Sequence, residues 1–382
     1  YCILHADGGA ELFAGPARLK GGLVDVLGAD VTVYTPELLE GRLGTLAGKI
    51  VRLDPVTTPV WFETTLKAVG AKVVYGNDPC TLPKAVKNSV EQEGSRRAHK
   101  LDGIAMARFL HSLSSSAAGQ RETDLVDRLN GFRAQSSDYR EQSFDAISAA
   151  GPNGAYPHYR AEVGKDRVLA PNSVYLIDSG GQYPFGTTDI TRTLWIGPDA
   201  APQSIKENFT RVLKGNIALS RVRFPPGTTG HRLDTLARAA LWEIGLDYDH
   251  GTGHGIGSYL SVHEGPQNIS PAPRPTALEA GMIVSNEPGY YEPGRYGIRI
   301  ENLMLVKPSA YHGAKGVFLE FELLSYTPID RELIDVTLLD DAELAWLNAY
   351  HAEVLTRVGP DVEADVLGWL EQACAPVLRN NA

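Results

Sequence analysis

The residues able to do chemistry concentrate between positions 174 and 302, in four clusters. In the first, Val174-Tyr175-Leu176-Ile177-Asp178-Ser179-Gly180, an apolar strand ends on a carboxylate. An aspartate beside four apolar residues is costly to bury unless a positive group meets it. The second, Thr187-Thr188-Asp189-Ile190-Thr191-Arg192-Thr193, carries Asp189. The interval suits a hairpin that sets Asp178 and Asp189 side by side, where both cannot stay ionised unless a cation lies between them. Two unrelated turn aspartates are the alternative.

The third cluster is His250-Gly251-Thr252-Gly253-His254-Gly255-Ile256-Gly257, followed by Val262-His263-Glu264-Gly265-Pro266. His250 and His254 have the spacing of H-E-x-x-H, but Gly251 stands in the glutamate position and so many glycines oppose a helix. G-x-G-x-x-G also fails, because Ile256 replaces the last glycine. The glycines instead imply backbone packed closely against a site. The fourth cluster holds Ser285-Asn286-Glu287-Pro288 and Tyr296-Gly297-Ile298-Arg299-Ile300-Glu301-Asn302. Alternation along a strand gives Ile298, Ile300 and Asn302 one face and Arg299, Glu301 and Leu303 the other. A plain salt bridge is the alternative reading of Arg299 and Glu301.

The inventory is four strand-borne carboxylates and one glycine-flanked imidazole. Such donors suit Mn²⁺, Co²⁺ or Zn²⁺ in a two-metal centre. Two divalent cations would neutralise four carboxylates, whereas one would leave an anionic hole. Paired metals of this kind serve aminopeptidases and phosphatases.

Elements that must position these groups can be read around them. Residues 1 to about 84 alternate β-branched runs (Val31–Tyr34, Lys49–Leu53, Lys72–Tyr75) with helical stretches (Pro36–Leu46, Val60–Gly70), a βαβ rhythm that predicts one small parallel or mixed sheet. Asn77–Pro83 reads as a linker. Helices are expected over Ser89–Leu113, with His99 and His111 as surface or capping histidines, and over Glu122–Gln135, opened by Thr123. Strands follow from 142 to 200, helices over Gln203–Ser220 and His231–Gly245, strands again to Tyr326, and two amphipathic helices over 340–357 and 361–374. The class is α+β around an antiparallel sheet.

Composition limits the partners. Thirty-six basic against 46 acidic residues leave a net charge of −10 in 382 residues, which argues against nucleic acid or an anionic membrane. Three scattered cysteines, Cys2, Cys80 and Cys374, exclude a disulfide framework and a thiolate zinc site and fit a reducing, cytoplasmic setting. The first residues, Tyr1 to Phe13, read as two strands around an Asp-Gly turn in mid-domain, so further residues are expected upstream.

In order and spacing, Asp178, Asp189, His254, Glu287 and Glu301 resemble the five ligands of the pita-bread metallopeptidases. The closer resemblance is to the three-domain cytosolic type of Xaa-Pro aminopeptidase. It is carried also by Lys84-Ala85-Val86-Lys87-Asn88-Ser89, Gly151-Pro152-Asn153-Gly154-Ala155, Gly245–Pro266, Ala280–Tyr291 and, in the tail, Trp346-Leu347-Asn348. It implies a partial α/β middle domain over 1–84 with the first domain absent, a catalytic pita-bread domain over 85–326 and a helical extension over 327–382.

The resemblance implies two divalent ions, Mn²⁺ before Zn²⁺ or Co²⁺. Asp178 and Asp189 would chelate one, Asp189 and Glu301 would bridge, and His254 and Glu287 would complete the second. Glu287 would also be the general base toward a bridging hydroxide. His158 and His263 would bind substrate and bring a proton to the leaving imide nitrogen, with His250 and Arg299 near the proline pocket and ligand shell. The implied substrates are peptides with proline second, and the implied assembly is a homodimer. Prolidase, acting on dipeptides, is the alternative within the class; a metal-free binding protein is the alternative outside it. Phe321-Glu322-Leu323-Leu324 departs from the family's Phe-Glu-Pro-Leu, with only a local backbone change expected.

Overall fold

A computed structural model of the chain describes residues 1–313 and 316–379. It divides into two compact units, Tyr1–Thr81 and Leu82 onward. Among the described residues no helix is long and apolar enough to cross a membrane.

In the first unit, Cys2–Leu4 runs antiparallel to Ala10–Phe13, which pairs parallel with Val31–Tyr34. A separate parallel pair, Ile50–Leu53 and Lys72–Tyr75, is connected by the helix Val60–Ala68. The described strands therefore form two small sheets where the pattern predicts one. The helix expected over Pro36–Leu46 is a 3₁₀ turn, Pro36–Leu38, followed by Leu39–Gly44; its two glycines lower helix propensity. Phe13, Leu39, Leu43 and Leu66 form the core. Beside it the buried Glu11 carboxylate accepts hydrogen bonds from Arg42 Nε at 2.6 Å and faces His5 Nε2 at 2.8 Å.

The second unit opens with the helix Ser89–Ser116. Asn88 starts it with a capping box: its side chain accepts from the amides of Val90 and Glu91, and the Glu91 carboxylate accepts from the Asn88 amide. This satisfies helix-start donors that would otherwise lack partners. Met106, Phe109, Leu110 and Leu113 are buried against the following helix, Glu122–Arg133, through Leu125 and Leu129. Two sequence expectations fail here. Thr123 does not cap its helix; its hydroxyl donates to Asp166 Oδ2 at 2.8 Å from inside the first turn. His99 is not on the surface but 3% exposed, with Nδ1 2.7 Å from the Ser95 carbonyl. It stands seven and eleven residues before the buried Met106 and Leu110, on the covered stripe of the helix. His111 is half-buried, with its ring tilted beside Trp369.

Two antiparallel sheets carry the four clusters. One has three strands, with Ser173–Ser179 between Ile190–Ile196 and Ile147–Ala150. The other runs Glu264–Ile269, Gly253–Gly255, Ile283–Asn286, Asn302–Gly313 and Gly316–Leu323 in spatial order. A hairpin, Gly289–Glu292 with Tyr296–Arg299, lies beside them. Glu322, at the departing Phe-Glu-Leu-Leu stretch, accepts from Arg96 at 2.6 and 3.0 Å.

The amphipathic helix Gln203–Arg221 buries Ile205, Phe209, Val212, Leu213 and Ile217 in the largest cluster, together with Ile298, Ile300, Leu347, Tyr350 and Leu370. The last three come from the closing helices Asp341–Val358 and Ala364–Ala373. Asn216, buried on the same helix, donates to the carbonyls of Asn286 and Ile300 at 2.9 and 3.0 Å, and Asn286 donates back to the Asn216 carbonyl. One helix thus fixes the chain immediately before both Glu287 and Glu301.

Candidate metal centre

Asp178 is the penultimate residue of its strand, and the antiparallel register sets Thr191 opposite it and Ile190 opposite Ser179. Asp189 therefore enters one step before the partner strand. The intervening residues form their own small hairpin, Gly181–Tyr183 with Gly186–Thr187. The expected pairing of the two carboxylates is met through this longer excursion. His254 sits in the short strand Gly253–Gly255, whose glycines are required by contact: a Cβ on Gly253 would lie 2.1 Å from the Ser285 carbonyl oxygen, and one on Gly255 2.1 Å from that of Glu264. Glu287 follows the strand Ile283–Asn286, and its amide donates to the Thr252 carbonyl. Arg299 ends one strand and Asn302 begins the next, so the continuous strand expected there is broken at Ile300-Glu301. Arg299 and Glu301 still face the same group: Thr191 Oγ1 donates to Glu301 Oε2 at 2.8 Å and accepts from Arg299 Nε at 3.2 Å.

Three overlapping sets of potential ligand atoms each fall within 4.8 Å: Asp178, Asp189 and Glu301; His254, Glu287 and Glu301; and Asp189, His254 and His263. His254 Nε2 lies 3.3 Å from Glu287 Oε1 and 3.5 Å from Asp189 Oδ2. Asp178 Oδ1 and Asp189 Oδ1 are buried without a hydrogen-bond donor. Burial raises the Asp178 carboxyl, against the pull of Arg299, which donates to Oδ2 at 2.5 Å. Asp189 is driven well above the usual carboxylate range by burial and then by the charges of Glu301, Asp178 and Glu287. Glu301 is pushed up to about 8 by burial and the charges of Glu287 and Asp178. For Glu287, burial also acts upward, but the hydrogen bond and charge of His254 prevail and lower it to about 2. Burial opposes protonation of His254, yet Glu287 carries that ring up to about 9.

Crowded carboxylates with unpaired oxygens and a single imidazole fit divalent cations. A buried anion is stable only when paired, and hard oxygen donors with one nitrogen match the metals of two-metal hydrolases. Asp189, His254 and Glu301 each belong to two of the three sets, and of these the two carboxylates have the second oxygen that a bridge requires.

The site opens into a cleft of 540 Å³ lined also by Phe144, Ile147, Pro157 and Tyr159. All nine side chains singled out in the sequence face this cleft, including His158, His250, His263 and Arg299. The His263 ring stands edge-on to His254 with centroids 4.3 Å apart, and burial together with His254 lowers its proton affinity. His158 is exposed. His250 Nε2 is 2.8 Å from Tyr291 Oη, which accepts from Arg299 Nη1 at 2.8 Å, so a polar chain runs His250–Tyr291–Arg299–Asp178.

Sequence reading missed Tyr291, Thr191 and Ser285. Ser285 Oγ accepts from the His254 amide and donates to Glu287 Oε1 at 3.0 Å. Strand alternation was the available signal for it: Ser285 and Glu287 are two residues apart and share a face. Arg192 was also missed. Fully buried, with no carboxylate partner among the described residues, it donates to the carbonyls of Thr191, Glu301, Thr327 and Pro328, to Asn302 Oδ1 and to Tyr350 Oη, all at 2.6–3.0 Å.

Comparison with known proteins agrees with this geometry. The model of metallopeptidase family M24 matches residues 93–308, and that of the C-terminal region of peptidase M24 matches 317–377. Aminopeptidase P2 of Arabidopsis thaliana is 46% identical over 315 residues, covering 80% of this chain and 44% of that protein. A probable Xaa-Pro aminopeptidase P of Phaeosphaeria nodorum is 40% identical over 384 residues, covering 96% and 59%. The chain thus spans about half the length of these relatives. The crystal structure of X-prolyl aminopeptidase from Caenorhabditis elegans, described as a cytosolic enzyme with a di-nuclear active site, superposes with a TM-score of 0.88 at 35% identity, covering 97% of this chain and 62% of that one. The α+β architecture is the pita-bread fold. With more than half of its residues matched by the family model, the chain belongs to metallopeptidase family M24.

Proposed function

We propose that the chain carries the catalytic machinery of a metal-dependent Xaa-Pro aminopeptidase, which hydrolyses the bond between an N-terminal residue and a following proline. The observation that carries this reading is the convergence of Asp178, Asp189, His254, Glu287 and Glu301 in one cleft, with two carboxylate oxygens lacking any donor. Names borne by relatives across the same residues support it.

In this proposal the five side chains hold two divalent ions, Mn²⁺ before Zn²⁺ or Co²⁺. Bound ions of this class acidify water and polarise a carbonyl. Glu287 takes the proton of the attacking water. A carboxylate that also holds a metal is a weak base, adequate only for a water already made acidic. Proline nitrogen has no N–H and must gain a proton as the C–N bond breaks; His263 and His158, at the cleft wall, hydrogen-bond the substrate and deliver it. Arg299 and Tyr291 orient Asp178, and His250 joins them from the side assigned to proline. The apolar wall of Phe144, Ile147 and Pro157 suits a pyrrolidine ring. We further propose a cytoplasmic homodimer with catalytic residues in 85–326, flanked by the 1–84 and 327–382 regions.

A peptide panel tests the activity. The chain, loaded in turn with Mn²⁺, Zn²⁺ and Co²⁺, is expected to release arginine from Arg-Pro-Pro peptides and to leave the same peptides intact when alanine replaces the second residue. Cleavage of dipeptides alone would replace this reading with prolidase.

A further inference from the structure

The Lys84-Ala85-Val86-Lys87-Asn88-Ser89 stretch has no part in the chemistry so far. Lys87 is 2% exposed, unusual for a lysine. Its Nζ donates to Glu264 Oε1 at 3.3 Å and to the Lys84 carbonyl at 3.1 Å, while Lys84 Nζ lies 3.0 Å from Glu264 Oε2. Glu264 is itself buried and immediately follows His263. Both ammonium groups ion-pair this buried carboxylate, Lys87 with a hydrogen bond and Lys84 without one, and removing one partner of a buried pair is strongly destabilising.

The backbone on both sides of this clamp leads to the metal centre. The Lys87 amide donates to the Gly281 carbonyl, and Val86 pairs with Met282 at the start of the segment that ends in Glu287. Glu264 pairs with Gly255, next to His254, at a point where the register jumps: His254 faces Asn268, but Gly255 faces Glu264. The regular ladder therefore does not place His263. The preceding loop includes Tyr259 at φ +53°, a left-handed conformation unfavourable for a tyrosine. Glu264 is the buried, charged residue adjacent to His263 in the chain.

We propose that Lys84 and Lys87, by gripping Glu264, position His263 edge-on over His254; Lys87 and Glu264 are positioning residues. The role of His263 rests on the activity proposed above, whereas its placement does not.

Crystal structures of wild type and Lys87→Met test the placement directly. The His263 ring is expected to leave its contact with His254 while Asp178, Asp189 and Glu301 stay in place. A ring that keeps its 4.3 Å centroid distance in the variant would overturn the proposal. Should Lys87→Met fail to fold, the neutral pair Lys87→Met/Glu264→Leu removes the unpaired buried charge, and the same displacement is expected in it. Kinetics gives a second test: kcat on the proline peptide should fall about 100-fold with metal content unchanged and KM nearly so. In a His263→Ala background, Lys87→Met should cost nothing more; an equal further loss there would contradict action through His263. A wild type that ignores Xaa-Pro peptides would remove the activity proposal, and ring displacement would still decide this one.

Discussion

Glu287 and His263 face the same cleft, but their surroundings assign them different work. Glu287 shares a set of potential ligand atoms with His254 and Glu301, so Glu287→Ala should remove both metal and turnover. His263→Ala should keep close to two metals per chain and lower kcat by about 10²–10⁴, as measured by elemental analysis beside steady-state assays. Loss of metal in the histidine variant would make it a ligand, a role its proximity to Asp189 and His254 also permits. The charged groups of the cleft were legible because each interrupts an apolar or glycine-rich run. Thr191, Ser285 and Tyr291 were not, because a hydroxyl on a strand carries no signal of its own until its acceptor is known. His99 shares a helix stripe with Met106 and Leu110, so the 3.6-residue period itself points it toward the core rather than the surface.

At the level of elements, the helix starts expected at Ser89 and near 340 agree with the structure, which closes both with capping boxes, Asn88-Glu91 and Asp340-Glu343. Long-range ties were hidden. Arg192 joins the Thr191 strand and the Glu301 backbone to Thr327, Pro328 and Tyr350, placing the Asp341–Val358 helix in the frame of the metal centre. His351, fully buried on that helix, accepts the Ile329 amide at 3.1 Å. Burial, then Arg192 and Arg331, lower its pKa to about 4. The folded state thus favours the neutral ring. Its contribution is complete above the unfolded pKa of about 6.5 and is lost as pH falls through 4. The difference corresponds to about 3 kcal/mol. Urea unfolding at stepped pH should show a shallower loss of stability between pH 6.5 and 4 in His351→Gln than in wild type; parallel acid limbs would contradict this account.

For the whole molecule, the two compact units have separate apolar cores, and the metal-ligand candidates all belong to the second. Metal should stabilise only the unit that holds it. At a free metal concentration 100 times Kd the gain is about 2.7 kcal/mol. Calorimetric scans with and without Mn²⁺ should therefore show one transition rising and another, from residues 1–81, staying fixed. The sequence rhythm disclosed the α/β character of the first unit but not its division into two sheets, because hydrogen-bonding partners of short strands are chosen by packing rather than by pattern.

In the proposed centre, five side chains from two sheets and their connecting loops cage two cations. Anomalous diffraction from crystals grown with manganese measures this directly. Two peaks per chain are expected, each within bonding distance of its share of Asp178, Asp189, His254, Glu287 and Glu301. A map with no peak among these residues, or with the five side chains turned away from one another, would contradict it.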